Sequence, residues 1–91
     1  MMKITEEDWD LVHRIHLRAA FLICKAAWPY MRDQNYGRII MTSSPSGVYG
    51  NFGQANYSSA KMALISLAKT LSVEGIKYDI KCNSILPVAA S

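Results

Sequence analysis

The sequence predicts an α/β fold built as helix, strand, helix, strand, with the two strands parallel. Three observations carry this. Apolar residues recur at three- and four-residue spacing over residues 9–30 and again over 60–71, the periodicity of helices buried on one face. Two short apolar runs, around Ile39-Ile40-Met41 and over residues 80–86, lack that spacing and are bounded by Gly, Ser or Pro. A helical stretch separates the runs, and parallel strands require such a crossover, which is right-handed in nearly all known sheets.

The first helix is expected over residues 5–33. Thr5 followed by Asp8 is a loose capping box, and Glu6, Glu7 and Asp8 put negative charge where the helix dipole favours it. Trp9, Val12, His16, Ala20, Ile23, Ala27 and Tyr30 form its predicted buried face, and Pro29 is expected to kink the last turn. Residues 33–37 read as the exit, with Gly37 free to turn the chain. Residues 38–42 follow as a strand expected to be covered on both faces, and residues 43–54 as a loop of small side chains. The second helix is expected over about residues 56–74, with Ala60, Ala63, Leu64, Leu67, Ala68 and Leu71 buried and Gly75 as its stop. The second strand spans residues 80–86 and ends at Pro87.

Composition bounds the function. A chain of 91 residues with 51% apolar and 19% charged residues is one small domain with a modest core. Its net charge of +3 is spread along the chain, with no basic stripe or RNA-binding motif, which argues against nucleic acid. Cys24 and Cys82 sit in apolar runs as small hydrophobes, not as a disulfide framework. The first eight residues do not resemble a secretory signal, and no apolar stretch is long enough to span a membrane. His13 and His16 lack the further ligands a metal site needs. No Gly-x-Ser-x-Gly elbow surrounds Ser44 or Ser46, so serine hydrolysis is disfavoured.

Chemistry concentrates around the second helix. Tyr57 and Lys61 lie four residues apart and share a helical face. Ser44 lies just past the C-terminal end of the first strand, where open α/β sheets build their sites. A tyrosine unaided titrates near pH ~10, and a neighbouring ammonium favours the phenolate. A serine hydroxyl can donate to a carbonyl oxygen as charge develops there. Together the three suit proton transfer at a carbonyl or alcohol while a cofactor exchanges hydride. Tyr-x-x-x-Lys alone is common on surface helices; the ordered set with Ser44 is far more specific.

Gly37-Arg38-Ile39-Ile40-Met41-Thr42-Ser43-Ser44 and Gly53-Gln54-Ala55-Asn56-Tyr57-Ser58-Ser59-Ala60-Lys61 resemble the short-chain dehydrogenase/reductase family. The resemblance implies a Rossmann-like doubly wound parallel sheet, of which residues 1–91 would form the central and C-terminal part. It implies Ser44 as substrate-polarising residue, Tyr57 as general acid/base and Lys61 as its activator. Cofactor contacts would come from Ser43, Tyr57, Lys61 and Pro87. Many members have Asn where His16 stands, so His16 is a candidate fourth catalytic residue, with packing between helices as the alternative. Trp9-Asp10-Leu11-Val12-His13-Arg14-Ile15-His16-Leu17-Arg18 and Gly50-Asn51-Phe52-Gly53 resemble the branch that oxidises (3R)-hydroxyacyl-CoA to 3-ketoacyl-CoA with NAD in peroxisomal β-oxidation. That branch implies an acyl-CoA substrate, a peroxisomal location, and a homodimer through the two long helices, where Ala19, Ala20, Ala60 and Ala63 would permit close approach.

The sequence also departs from the family. No Gly-x-x-x-Gly-x-Gly motif or ribose-binding acidic residue is present, and Val88 stands where the family has Gly or Asn. The chain is therefore expected to begin at the fourth helix of such a domain and to stop near its sixth strand. Two strands alone would expose edges and helix faces, so marginal stability or a partner is expected. Two readings follow: part of an active oxidoreductase, or a non-catalytic truncated product acting as a dimerisation module, in which case a cytoplasmic location is expected.

Overall fold

The computed structural model describes residues 1–87; Val88, on which one departure from the family pattern rests, lies outside them. The chain opens with α1 (Glu6–His13), passes through a π-helical turn (Arg14–Arg18) and continues as α2 (Ala19–Asp33). Thr5 caps the start, its hydroxyl oxygen accepting from the Asp8 amide at 3.0 Å. Pro29 lies inside α2, which runs on to Asp33. The chain then reverses through Asn35, whose φ of 52° is a left-handed conformation that asparagine tolerates better than most residues.

Strands β1 (Gly37–Thr42) and β2 (Ile80–Ile85) pair in parallel, with Gly37 opposite Ile80 and Thr42 opposite Ile85. Between them run α3 (Pro45–Tyr49) and α4 (Ala55–Glu74), followed by a 3-10 turn (Ile76–Tyr78). Gly75 ends α4 where only glycine fits, since a Cβ there would lie 2.5 Å from the Ile80 carbonyl oxygen. The α/β class and the parallel crossover pair agree with the sequence reading.

The core lies between α4, α2 and one face of the strand pair. Met41, Leu64, Ala68 and Cys82 form its centre, with Leu17, Ala20, Cys24 and Ile39 packed around them. Ala60 is fully buried, which lets α4 lie close to the sheet. Along β1 burial alternates, Gly37, Ile39 and Met41 turning inward while Ile40 is 69% exposed.

Three expectations need correction. β1 is covered on one face among the described residues, because α2 and α4 both pack on its inward side chains. Residues 45–49 form a short helix instead of loop: Ser44 accepts a hydrogen bond from the Ser46 amide, and Pro45 at the first helical position loses no bond. The buried face of the first helix is also shifted. Leu17, Ala20 and Cys24 meet the core, while Ile23 and Tyr30 are 68% and 77% exposed. The π turn changes the phase of the helix, so Leu17 and Cys24 face the core where His16 and Ile23 were expected, while Ala20 keeps its expected place.

Candidate active site

The site gathers where β1 ends. Tyr57 and Lys61 occupy the first two turns of α4, both half-buried. The Lys61 ammonium donates to the Thr42 carbonyl at 3.1 Å and stands 5.7 Å from the centre of the Tyr57 ring. Helical spacing puts the two side chains on one face, and the bond to Thr42 aims the ammonium at the strand end. Among the described residues this is its one hydrogen bond, which uses one of its three protons.

Two further contacts fix this part of α4. Ser43 is buried, and its hydroxyl donates to the Lys61 carbonyl at 2.6 Å. Its own amide donates to the Ile85 carbonyl at 2.9 Å, so Ser43 joins β1, β2 and α4. Gly47 of α3 presses on the same turn: a Cβ there would lie 2.8 Å from the Met62 amide nitrogen.

Ser44, next in the chain, is half-buried and caps α3. The cap occupies a lone pair of its oxygen, and among the described residues no acceptor takes the hydroxyl proton. Among the described residues no hydrogen bond joins Ser44 to Tyr57. Pro87 follows β2 as an exposed residue.

His16 enters from the other side, carried by the π turn. Its ring meets the Tyr57 ring edge-on, with centroids 5.2 Å apart and planes at 85°. Such turns recur at functional sites because they re-aim side chains within a helix. Burial first, and the Lys61 cation second, hold the His16 imidazole below its ordinary value of 6.5. A cavity of about 300 Å³ opens beside His16, Lys61 and Thr42, floored by Ile39 and Met41. Among the described residues no group of three or more His, Cys, Asp or Glu side chains could hold a metal.

A nicotinamide cofactor is what the resemblance to short-chain dehydrogenases implies. The residues present fit its ribose end: a phenol and an ammonium stand at the strand end. Sequence reasoning named Tyr57, Lys61, Ser44 and His16. It missed the Thr42 carbonyl, whose role depends on backbone position. It also missed Ser59, whose partner His13 is 46 residues away.

The low His16 value has a signed consequence. The folded chain prefers the neutral ring, whereas the unfolded chain binds the proton near the ordinary value. The stability this provides is complete above pH ~6.5 and is lost as pH falls through the lower folded-state midpoint. NMR titration of the His16 Cε1–H resonance is expected to give a midpoint below 6.5. The urea midpoint should fall between about pH 7 and about pH 5, and less steeply in His16→Asn.

Comparison with known proteins sets this geometry in context. The chain is 58% identical over 89 residues to peroxisomal multifunctional enzyme type 2 of Mus musculus, covering 98% of this chain and 12% of that protein. It is 40% identical over 88 residues to the (3R)-3-hydroxyacyl-CoA dehydrogenase of Mus musculus, covering 96% of this chain and 34% of the relative. The solved structure of full-length peroxisomal multifunctional enzyme type 2 from Drosophila melanogaster superposes with a TM-score of 0.95 at 54% identity, over 100% of this chain and 17% of that one. The chain thus spans about a third or less of the length of each of these relatives. The family model for short chain dehydrogenases matches residues 1–91, and the chain belongs to the short-chain dehydrogenase family.

Proposed function

We propose that these residues handle the proton in an NAD-dependent oxidation of a (3R)-3-hydroxyacyl-CoA to the 3-ketoacyl-CoA, in the peroxisome. The observation that carries the reading is the placement of Tyr57 and Lys61 on one face of α4 at the end of β1, with His16 edge-on to the tyrosine. The substrate class and location rest on the named relatives.

In this reading Tyr57 acts as the phenolate that a neighbouring ammonium favours, and its Oη takes the proton of the substrate 3-hydroxyl to become the phenol. The Lys61 ammonium activates Tyr57 from 5.7 Å off its ring centre and would hold the ribose hydroxyls of the cofactor with protons not given to Thr42. Ser44 donates its hydroxyl proton to the substrate oxygen as it becomes a carbonyl. His16, neutral beside a cation, offers a ring nitrogen through which the proton leaves toward solvent. Bound NAD supplies the acceptor for the hydride from C3, so the alcohol loses one proton and one hydride. Ser43 and Pro87 would contact the cofactor, as the family resemblance implies.

The site is tested by grafting this chain into the matching 89-residue span of the Mus musculus multifunctional enzyme. NADH formation from a (3R)-3-hydroxyacyl-CoA is expected to survive the graft. Tyr57→Phe is expected to lower it by about 10²- to 10⁴-fold with NAD affinity nearly unchanged. Turnover retained by Tyr57→Phe would remove Tyr57 from the chemistry.

We propose in addition that the chain pairs with a second copy through α2 and α4. An apolar groove of about 360 Å³ lies between these helices, lined by Phe21, Lys25, Trp28, Leu67, Leu71 and Glu74. Ala20 and Ala60 are spent on packing within the chain, so the groove itself offers the contact. The opposite charges of Lys25 and Glu74 in its lining suit a two-fold pairing, in which each copy sets Lys25 against Glu74 of the other. Sedimentation is expected to show a dimer that Leu71→Glu converts to monomer; a monomeric parent chain would refute the pairing.

A further inference from the structure

Beside the site, α1 and α4 are joined by a hydrogen-bonded bridge that the proton-transfer chemistry does not use. His13 ends α1, immediately before the π turn that carries His16. Its Nδ1 lies 2.9 Å from the Trp9 carbonyl oxygen. A carbonyl can only accept, so Nδ1 carries the proton and donates it there. The ring is also stacked on Trp9, centroids 4.3 Å apart and planes 25° from parallel. Two contacts along its own helix therefore fix the imidazole and point Nε2 outward.

With the proton on Nδ1, Nε2 accepts from the Ser59 hydroxyl at 3.2 Å, a bond that shares the hydroxyl's one proton with the Asn56 carbonyl oxygen 3.0 Å away. Ser59 lies two residues past Tyr57 and two before Lys61, in the opening turns of α4. Among the described residues this is the one side-chain to side-chain hydrogen bond between α1 and α4. It is half-buried, where a hydrogen bond is less exposed to competition from water. A directional hydrogen bond of this kind fixes the register of α1 on α4.

We propose that His13 and Ser59 form a latch that sets the His16-bearing turn against the Tyr57-bearing turn, making both of them positioning residues for the proton-transfer site. The role assigned to the latch rests on the reading of Tyr57 as the proton-transfer residue; the latch itself does not. Without it, the rings of His16 and Tyr57 lose their fixed edge-on contact, and His16 moves out of the shelter it shares with Lys61.

The test uses the full chain without cofactor or substrate, so it can fail while the redox reading stands, and the reverse also holds. The readout is the His16 titration midpoint by NMR, with Lys61 and Tyr57 the groups that face this ring from α4. His13→Phe keeps the aromatic stack on Trp9 but lacks ring nitrogens, and Ser59→Ala removes only the hydroxyl. Each is expected to raise the midpoint toward 6.5, and the double variant is expected to raise it no further than either alone. Ser59→Thr keeps the hydroxyl and should leave the midpoint where it is. An unchanged midpoint in both single variants, or additive shifts in the double, would overturn the latch. Should Ser59→Ala lose helical circular dichroism, recovery in Ser59→Thr supports the latch and absence of recovery refutes it.

Discussion

The structure depends on one packing contact, the seating of the small-residue stripe of α4 on the β1–β2 pair. Ala60, Leu64 and Ala68 recur every four residues and are all buried, Leu64 and Ala68 in one cluster with Met41 and Cys82. Alanine at the first of these positions brings the helix axis near the sheet. The turn that carries Tyr57 and Lys61 is thereby carried to the end of β1. A larger residue at Ala60 would lift that turn away from the strand end and overpack the interior. Ser43 and Gly47 then lock the helix about its axis, one by a hydrogen bond to the Lys61 carbonyl and the other by close backbone approach.

Geometry of this kind explains how a small set of side chains becomes reactive. Thr42 gives the lysine a direction, Ser44 keeps a proton to donate because its cap consumes only a lone pair, and His16 stays neutral beside a cation. None of these properties belongs to a residue in isolation. Each arises because backbone at the C-terminal end of a strand meets the opening turns of a helix, the place where open α/β sheets gather their ligands.

Much of this was legible in the sequence. The periodicity of residues 60–71 marks α4 and its inward face, Gly75 marks its end, and the apolar runs mark both strands. Tyr57, Lys61 and Ser44 stand out by order and spacing. The π turn at Arg14–Arg18 was not legible, because its residues have ordinary helical character and the change of phase is set by how the helix fits its neighbours. Ile23 and Tyr30, on the face that the spacing predicts to be buried, are exposed. Short helix α3 was hidden in a Ser/Pro/Gly-rich stretch whose capping bond reads equally well as a turn. The His13–Ser59 bridge joins positions 46 residues apart, and nothing local in either segment announces the other.

The most direct test of the central packing contact is native-state amide hydrogen exchange of the full chain, read residue by residue. The expected result is that amides of α4 around Leu64 and Ala68 and those of β1 and β2 are the slowest and open together with one free energy, while the outer turns of α1 exchange faster. Slowest exchange in α1, or opening of α4 independently of the two strands, would contradict the claim that α4 seated on the strand pair organises the fold and its site.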